Sequence, residues 1–348
     1  MRRMDDALDI ERAPRLLAWL RIHGWIEPDE RPFIEVLQGG VSNKTVLVER
    51  ANGDSWVLKQ ALPKLRVQVD WFSPVERVHR EALGLRWLER IAPPGTITPL
   101  VFEDVPQHCI AMAAVPQPHE NWKQMLLRGE VVPDHVDQFA TLLATIHRES
   151  ALRRTELEPV FGDRSFFESL RLEPYFGFTA GEAPAARRFL LDLIEETRAH
   201  VETLVHGDYS PKNVLVHDGR LVLLDHEVIH FGDPTFDLGF SLTHFLSKAH
   251  HLPPRRDAFA EATRQYWERY RGSVANESWA DDLEGRAVRK TLGVMLARVR
   301  GRSPLEYLDS SERDRQASAV SELMTDPPHT IFDLTDAFLD RVADMESE

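Results

Sequence analysis

The chain carries one cysteine, Cys109, in 348 residues. That excludes an internal disulfide framework and a zinc site built from several thiolates, and it suits a reducing compartment. Long hydrophobic runs are also missing. Nothing in the sequence approaches the roughly 20 apolar residues that a membrane-spanning helix needs. The opening residues, Met1-Arg2-Arg3-Met4-Asp5-Asp6, turn acidic at once and lack the apolar centre of a signal peptide. A cytoplasmic location with no membrane partner is the expectation. Cations are in deficit: 42 Lys and Arg face 56 Asp and Glu, a formal net charge of −14. Nucleic-acid wrapping needs clustered cations to meet phosphates, so a nucleic-acid partner is not expected. A cationic small molecule stays open, although acidity also serves solubility alone.

What is present is ordinary globular material, 43% hydrophobic and 28% charged, enough for one large or two modest domains. The spacing of Leu16, Leu17 and Leu20 predicts a helix over 13–24 that stops at Gly24. The period then changes to that of short strands: Phe33 to Leu37, Thr45 to Glu49, and Ser55 to Lys59. Gly39-Gly40 separates the first two and Asn52-Gly53 the second pair, a tight hairpin signal. A helix follows Pro74, with Val75, Val78, Ala82, Leu85 and Leu88 at three- and four-residue steps. Two more strand-like runs cover Thr98 to Phe102 and His108 to Val115, before Pro116 and Pro118 break the pattern. The predicted division is therefore a strand-rich 1–115 and a mainly helical 116–348. In the second part, helical spacing covers Asp134 to His147 and Ala185 to His200. Strands return at Val214-Leu215-Val216 and Leu221-Val222-Leu223-Leu224, around the turn His217-Asp218-Gly219-Arg220. The fold class is α+β.

The chemistry concentrates in His206-Gly207-Asp208-Tyr209-Ser210-Pro211-Lys212-Asn213, of the form H-x-D-x-x-x-x-N, followed across the hairpin by Asp225-His226-Glu227. Phosphoryl transfer needs a carboxylate to accept the proton of the attacking hydroxyl, and hard oxygen ligands to hold magnesium on the phosphates. Asp208 is the candidate base, with Asn213 and Asp225 the candidate metal ligands. Asp and Asn also suit turns and caps, so no one of them suffices alone.

These motifs, with Gly232-Asp233-Pro234-Thr235-Phe236-Asp237-Leu238-Gly239, resemble the aminoglycoside phosphotransferase and choline kinase superfamily, whose fold is that of protein kinases. The resemblance implies a bilobal fold with a small antiparallel-sheet lobe and a larger helical lobe, and ATP and Mg2+ bound between them. It also implies Asp208 as catalytic base, Asn213 and Asp225 on magnesium, and Asp237 bracing the catalytic loop. Asp237 can equally cap its helix. In the strand-rich part, Gly39-Gly40-Val41-Ser42-Asn43-Lys44 joins two strands where backbone donors can cover nucleotide phosphates. Gly39, Gly40, Ser42 and Asn43 are its candidate contacts. Lys59 of Val57-Leu58-Lys59 resembles the lysine that kinases aim at phosphates. Glu81 is the acidic partner expected for it, with Glu76 on the same helix as the competitor. Ala113 and Val115 can offer backbone groups to adenine, and Met112 either packs near the base or fills core.

A narrower resemblance links Leu58-Lys59-Gln60-Ala61-Leu62-Pro63-Lys64-Leu65-Arg66-Val67, Asp225-x-Glu227 and Phe236-Asp237-Leu238-Gly239 to methylthioribose kinases. Those enzymes differ at the position of Asn213 and lack the Gly232-Asp233-Pro234 form. Glu227 either holds the metal or holds metal-bound water. Arg298, Arg300 and Arg302 around Gly301 read as a helix-end cation cluster, with an anionic or sugar substrate as the competing use. His244, His250 and His251 lack the partners of a metal site. Trp71, Trp122 and Trp267 read as packing, or as the wall of a cationic-substrate site. The expected activity is ATP- and magnesium-dependent phosphorylation of a hydroxyl on a small sugar-like or amino-sugar metabolite. An aminoglycoside-modifying kinase and a non-catalytic nucleotide-binding module are the alternatives.

Overall fold

The computed structural model describes residues 8–38, 40–66 and 71–347. Gly39 and Val67, both used in the motifs above, lie outside the described residues. The chain forms two compact units, one running to Arg90 and including Ile97–Pro118, the other comprising Ile91–Thr96 and His119 onward.

The first unit opens with α1 (Ala13–Ile22), which starts on Pro14 in its first turn and buries Leu16 and Leu20. Strands β1 (Phe33–Val36), β2 (Asn43–Glu49) and β3 (Ser55–Ala61) follow as a meander, then helix α2 (Arg77–Ile91), then β4 (Leu100–Asp104) and β5 (Cys109–Ala113). The sheet is antiparallel in the order β1-β2-β3-β5-β4. The β2–β3 register pairs Val46 with Leu58 and Val48 with Trp56. That alternation, expected of a half-buried strand, puts these four side chains in a core with Leu16, Leu20, Ile26, Phe102 and Cys109. Gly53 takes φ of +94° in the hairpin turn, a conformation glycine adopts without steric penalty. One boundary shifts against expectation. β2 begins at Asn43 and not Thr45, because Asn43 pairs with Ala61 and extends the ladder into the glycine-containing segment.

The second unit is mostly helical. A small sheet in the order β6-β8-β9 combines β6 (His119–Asn121), β8 (Val214–His217) and β9 (Arg220–Leu223). The two-stranded ribbon joins β7 (Thr203–Val205) to β10 (His230–Gly232). Helix α3 (Trp122–Leu127) is capped by the Asn121 side chain, and α4 (Pro133–Leu152) supplies a long buried face. Beyond α5 (Arg154–Phe161), α6 (Ser165–Phe167) runs on through a π-type stretch, Glu168–Gly177, into α7 (Phe178–Glu182). The apolar spacing here carries no sign of this widened turn, which contains Pro174. Helices α8 (Arg187–Ala199), α9 (Thr235–His251), α10 (Arg256–Val274), α11 (Leu283–Arg300), α12 (Ser310–Leu323) and α13 (Ile331–Ser347) complete the unit. Helix α9 is buried from Thr235 through His250. Its Gly239 lets α11 approach: a Cβ there would lie 2.8 Å from the Lys290 carbonyl carbon. Among the described residues, no helix is long and apolar enough to cross a membrane.

Candidate active site

In the first unit, β3 carries Lys59 and α2 carries Glu81, and their side chains meet with Nζ–Oε1 at 2.6 Å. Glu81 is buried. The Lys59 partner is thus Glu81, the choice that sequence position left open against Glu76. Arg77, one turn earlier on α2 and also buried, ties the neighbouring segments together. It donates to the carbonyls of Ser73, Pro74 and Leu62 at 3.1, 2.9 and 2.9 Å, and to that of Ser42. Five guanidinium donors in a fixed fork suit this stapling role. The Ser42 and Val41 carbonyls also accept the amides of Leu62 and Arg66, at 3.0 and 2.8 Å. The segment closes tightly on itself at Gly40, where a Cβ would stand 3.1 Å from the Asn43 carbonyl oxygen. Ala113 ends β5, and its amide donates to Pro99 O at 2.9 Å, while Ala114 donates to Ser55 O at 2.8 Å. Ala113 therefore cannot also donate that amide to a base. Met112 is buried at the sheet position opposite Val57.

In the second unit, β7 delivers the chain to His206-Gly207-Asp208. The Asp237 carboxylate at the start of α9 accepts the His206 amide at 2.7 Å and the Gly207 amide at 2.8 Å. Both bonds are buried, where charge-assisted bonds are strong. The imidazole of His206 bridges the loop, with Nε2 3.1 Å from Leu224 O and Nδ1 accepting the Asp208 amide at 3.2 Å. Burial lowers the pKa of His206 below its ordinary value, against the pull of Asp237, Asp208 and Asp225. The neutral ring with its proton on Nε2 satisfies both bonds. Gly207 has φ of +78°, and a Cβ there would meet Val228 Cγ2 at 2.9 Å, so the loop admits no side chain at this position.

Asn213 closes the other end. Its Nδ2 donates to Asp208 O at 2.9 Å, and its own carbonyl accepts the Leu224 amide at 2.8 Å. With Nδ2 so committed, Oδ1 is the atom left to accept. The next residue after Leu224, Asp225, has φ of +69°. A non-glycine residue in that region is uncommon, and aspartate is one of the few that tolerate it. Glu227 is buried two residues on.

Arg171, in the π-type stretch, lies in no motif that marks it as a site residue. Its Nη2 lies 2.9 Å from Asp208 Oδ2, and its Nε donates to Gly207 O at 2.9 Å. Burial alone would lower the pKa of this guanidinium. Asp208, Tyr175, Glu227 and Asp225 reverse that and raise it, so the carboxylates of the motif converge electrostatically on Arg171. No spacing signal points to this arginine, because it lies far upstream of the loop in an irregular helix.

Other candidates separate. Arg298 donates to Tyr175 OH at 3.0 Å and Ser303 Oγ at 2.9 Å, Arg300 pairs with Asp314 and Arg302 with Glu173. The three arginines thus serve different partners and form no joint site. His251 bonds to Glu312, and His250 to the Glu312 carbonyl. Trp71, Trp122 and Trp267 are buried as packing.

A histidine-bridged aspartate loop, clamped by a second aspartate and followed by a left-handed aspartate, defines a phosphotransferase of the protein-kinase-like class. Residues 34–274 match the phosphotransferase enzyme family APH, and the chain belongs to it. Among curated relatives, the methylthioribose kinase of Pectobacterium atrosepticum is 24% identical over 306 residues, covering 76% of this chain and 73% of its own. That of Citrobacter koseri is 26% identical over 232 residues, covering 59% and 58%. The fold is shared with a macrolide 2'-phosphotransferase from Brachybacterium faecium, at TM-score 0.53, 17% identity and coverage of 90% of this chain and 98% of that one. It is shared too with an amicoumacin kinase solved with AMP-PNP, Ca2+ and amicoumacin, at TM-score 0.57, 14% identity and coverage of 87% and 91%. The chain is an enzyme of the small-molecule kinase type.

The family implies a nucleotide with a divalent cation, and the donors here fit one. Asn213 Oδ1, Asp225 and Glu227 are hard oxygen donors. Among the described residues no group of three or more His, Cys, Asp or Glu side chains forms a ready-made metal cage. Magnesium does not need one, since it keeps several waters and takes its remaining ligands from one or two carboxylates and the phosphates.

Proposed function

We propose that this phosphotransferase moves the γ-phosphoryl group of ATP, with Mg2+, to a hydroxyl of a small sugar-like or amino-sugar metabolite. The observation that carries the reading is the fixing of Asp208. Its amide, its carbonyl and its carboxylate are each held, by His206, Asn213 and Arg171 respectively. Such restraint is what a positioned base requires.

Bound magnesium supplies neutralisation of the phosphate charge that develops during transfer. The chain's own residues do the rest. Lys59, oriented by Glu81, faces the nucleotide phosphates. Gly40, Ser42 and Asn43 cover them, and Ala113 and Val115 border the base. Asn213 and Asp225 would hold the cation, with Glu227 as a further oxygen donor beside them. Asp208 accepts the acceptor hydroxyl's proton as that oxygen bonds to the γ-phosphorus and the bond to the leaving ADP oxygen breaks. Likeness to methylthioribose kinases supports a sugar-like acceptor.

The test is coupled ADP release over methylthioribose, other free sugars, aminoglycosides and amino alcohols, with wild type and Asp208→Asn. Turnover on a sugar-like acceptor, lowered by orders of magnitude in the variant while nucleotide binding persists, is the expected result. Nucleotide binding without transfer to any acceptor would instead mark a non-catalytic module.

A further inference from the structure

The face of α9 that begins beside the catalytic loop continues into a buried basic cluster. Ser241, His244 and Lys248 are spaced three and four residues apart, so they share one helix face. Ser241 Oγ donates to Tyr209 O at 3.0 Å, directly after Asp208. At the helical rise, Lys248 lies about 10 Å further along that face and His244 about half as far.

Lys248 is completely buried, and its Nζ donates to His244 O at 3.2 Å while lying 5.2 Å from the centre of the Tyr307 ring. One carbonyl and one aromatic ring do not balance a buried ammonium, which is costly to bury without a counter-charge. The charges acting on it are Lys123 of α3, Glu306 and Arg298 of α11. Glu306 is already paired with Lys123, and its side chain is 63% exposed. His244 feels Lys248, Arg298, Lys123 and also Lys212 of the catalytic loop, all of them cations. Its Nδ1 is buried without a hydrogen-bond partner among the described residues, as are Tyr307 OH and Arg298 Nε. Buried polar atoms are normally satisfied. Three unsatisfied groups and a lysine without a counter-charge thus accompany the α9 face that starts beside the catalytic loop.

We propose that Lys248, with His244, Arg298, Tyr307 and Lys123, forms an anion subsite, and that the acceptor is a hydroxylated small molecule carrying a carboxylate or phosphate group. The anion accepts from Lys248 and its neighbours one to two helical turns from Asp208, while a hydroxyl at the other end of the molecule reaches the base. The Lys123–Glu306 pair is the most solvent-exposed part of the cluster, with the Glu306 side chain 63% exposed, and the incoming anion takes over part of the Glu306 role. This inference rests on the phosphotransferase reading and narrows its acceptor class against neutral sugars and polycationic aminoglycosides.

The experiment pairs acceptors that differ in the anion: D-gluconate against D-glucitol, ribose 5-phosphate against ribose, with kanamycin as the cationic arm. ADP release and thermal protection are read on wild type and Lys248→Met. The expected result is turnover or protection by an anionic probe and not by its neutral partner. Its half-saturating concentration should rise about tenfold to a hundredfold in Lys248→Met, the size of one charge-assisted hydrogen bond. Gluconate against ribose 5-phosphate distinguishes carboxylate from phosphate. The variant removes a buried amine that lacks a counter-charge, so it should melt no lower than wild type without ligand. Faster turnover of glucitol, ribose or kanamycin than of the anions would overturn the subsite and leave the phosphotransferase reading standing. Equal anion protection of both proteins, or none in either, would also overturn it, whether or not transfer is seen.

Discussion

Arg171 grips Asp208 at two levels, its Nη2 2.9 Å from the carboxylate and its Nε bonded to the preceding carbonyl of Gly207 at 2.9 Å. Both side chains are largely buried, so each charge depends on the other. Removing one partner of a buried pair typically costs about 3–5 kcal/mol. Arg171→Met is therefore expected to lower unfolding free energy by about that amount, measured by urea denaturation. It should also lower kcat on the order of a hundredfold through misplacement of the proposed base, Asp208. Arg171→Lys keeps the charge but not the fork, and should recover stability more than turnover. An unchanged kcat in a folded Arg171→Met would show that the arginine only packs.

Asp237 makes a separable prediction. Its two carboxylate oxygens take the His206 and Gly207 amides, and His147 Nε2 lies 3.4 Å from one of them. Asp237→Ala orphans two buried amides at about 1–3 kcal/mol each. Asp237→Asn, with one acceptor oxygen, should fall between the variant and wild type. Hydrogen exchange read at residues 206 and 207 should accelerate in that same order.

Part of this arrangement was legible in the residues alone. The strands, hairpins and loop followed from alternation and from turn chemistry such as Asp218-Gly219, whose φ values are +48° and +71°. Those signals are local. The Lys59–Glu81 pair was legible in order but not in partner, because Glu76 and Glu81 lie on one helix and only packing distinguishes them. Arg171 was invisible because its role is set by tertiary placement of a π-type stretch. So was the bracing of Asp233, 3.1 Å from Arg286 and 3.3 Å from Lys290 on α11. Burial pushes the Asp233 pKa up, yet Lys290 and then Arg286 hold it below the usual value. The Lys248 cluster had the same cause: its members come from α3, α9, α11 and the Leu305–Leu308 turn, and no spacing rule joins them.

Lys59 and Glu81 form an ion pair at 2.6 Å, with Glu81 buried. Lys59→Met is expected to raise KM for ATP and lower kcat if the lysine contacts the phosphates as proposed. Glu81→Gln keeps the lysine and should have the smaller effect. If the pair acts as one device, the double variant falls close to Lys59→Met alone, a non-additivity expected of groups in contact. Additive losses in kcat/KM would mean that Glu81 acts elsewhere.

Lys248 gives the pH prediction. Burial, with Lys123 and Arg298 adding to it and Glu306 opposing, brings its pKa down from 10.5 to about 7. Between those values the unfolded chain binds a proton that the folded chain does not. Stability then rises with pH through this window, by up to about 1.4 kcal/mol per pH unit, and the dependence flattens once pH falls below the folded value. Lys248→Met deletes the contribution. The difference in unfolding free energy between variant and wild type should therefore be largest near neutral pH, in the variant's favour. It should shrink steadily as pH is raised toward 10. Exposed lysines and other tyrosines titrate in both proteins and cancel in the difference. Tyr307 faces position 248 in both as well. His244 packs against position 248 and loses the Lys248 charge in the variant, but burial holds its pKa well below the ordinary value, so it stays neutral across this window; Lys123, Arg298 and Glu306 are unchanged. Guanidinium titrations in chloride buffers free of carboxylate and phosphate supply the measurement. A difference that stays flat from pH 7 to 10 would mean that Lys248 is charged in the folded protein with its balance already made. In that case an incoming anion would gain little from it.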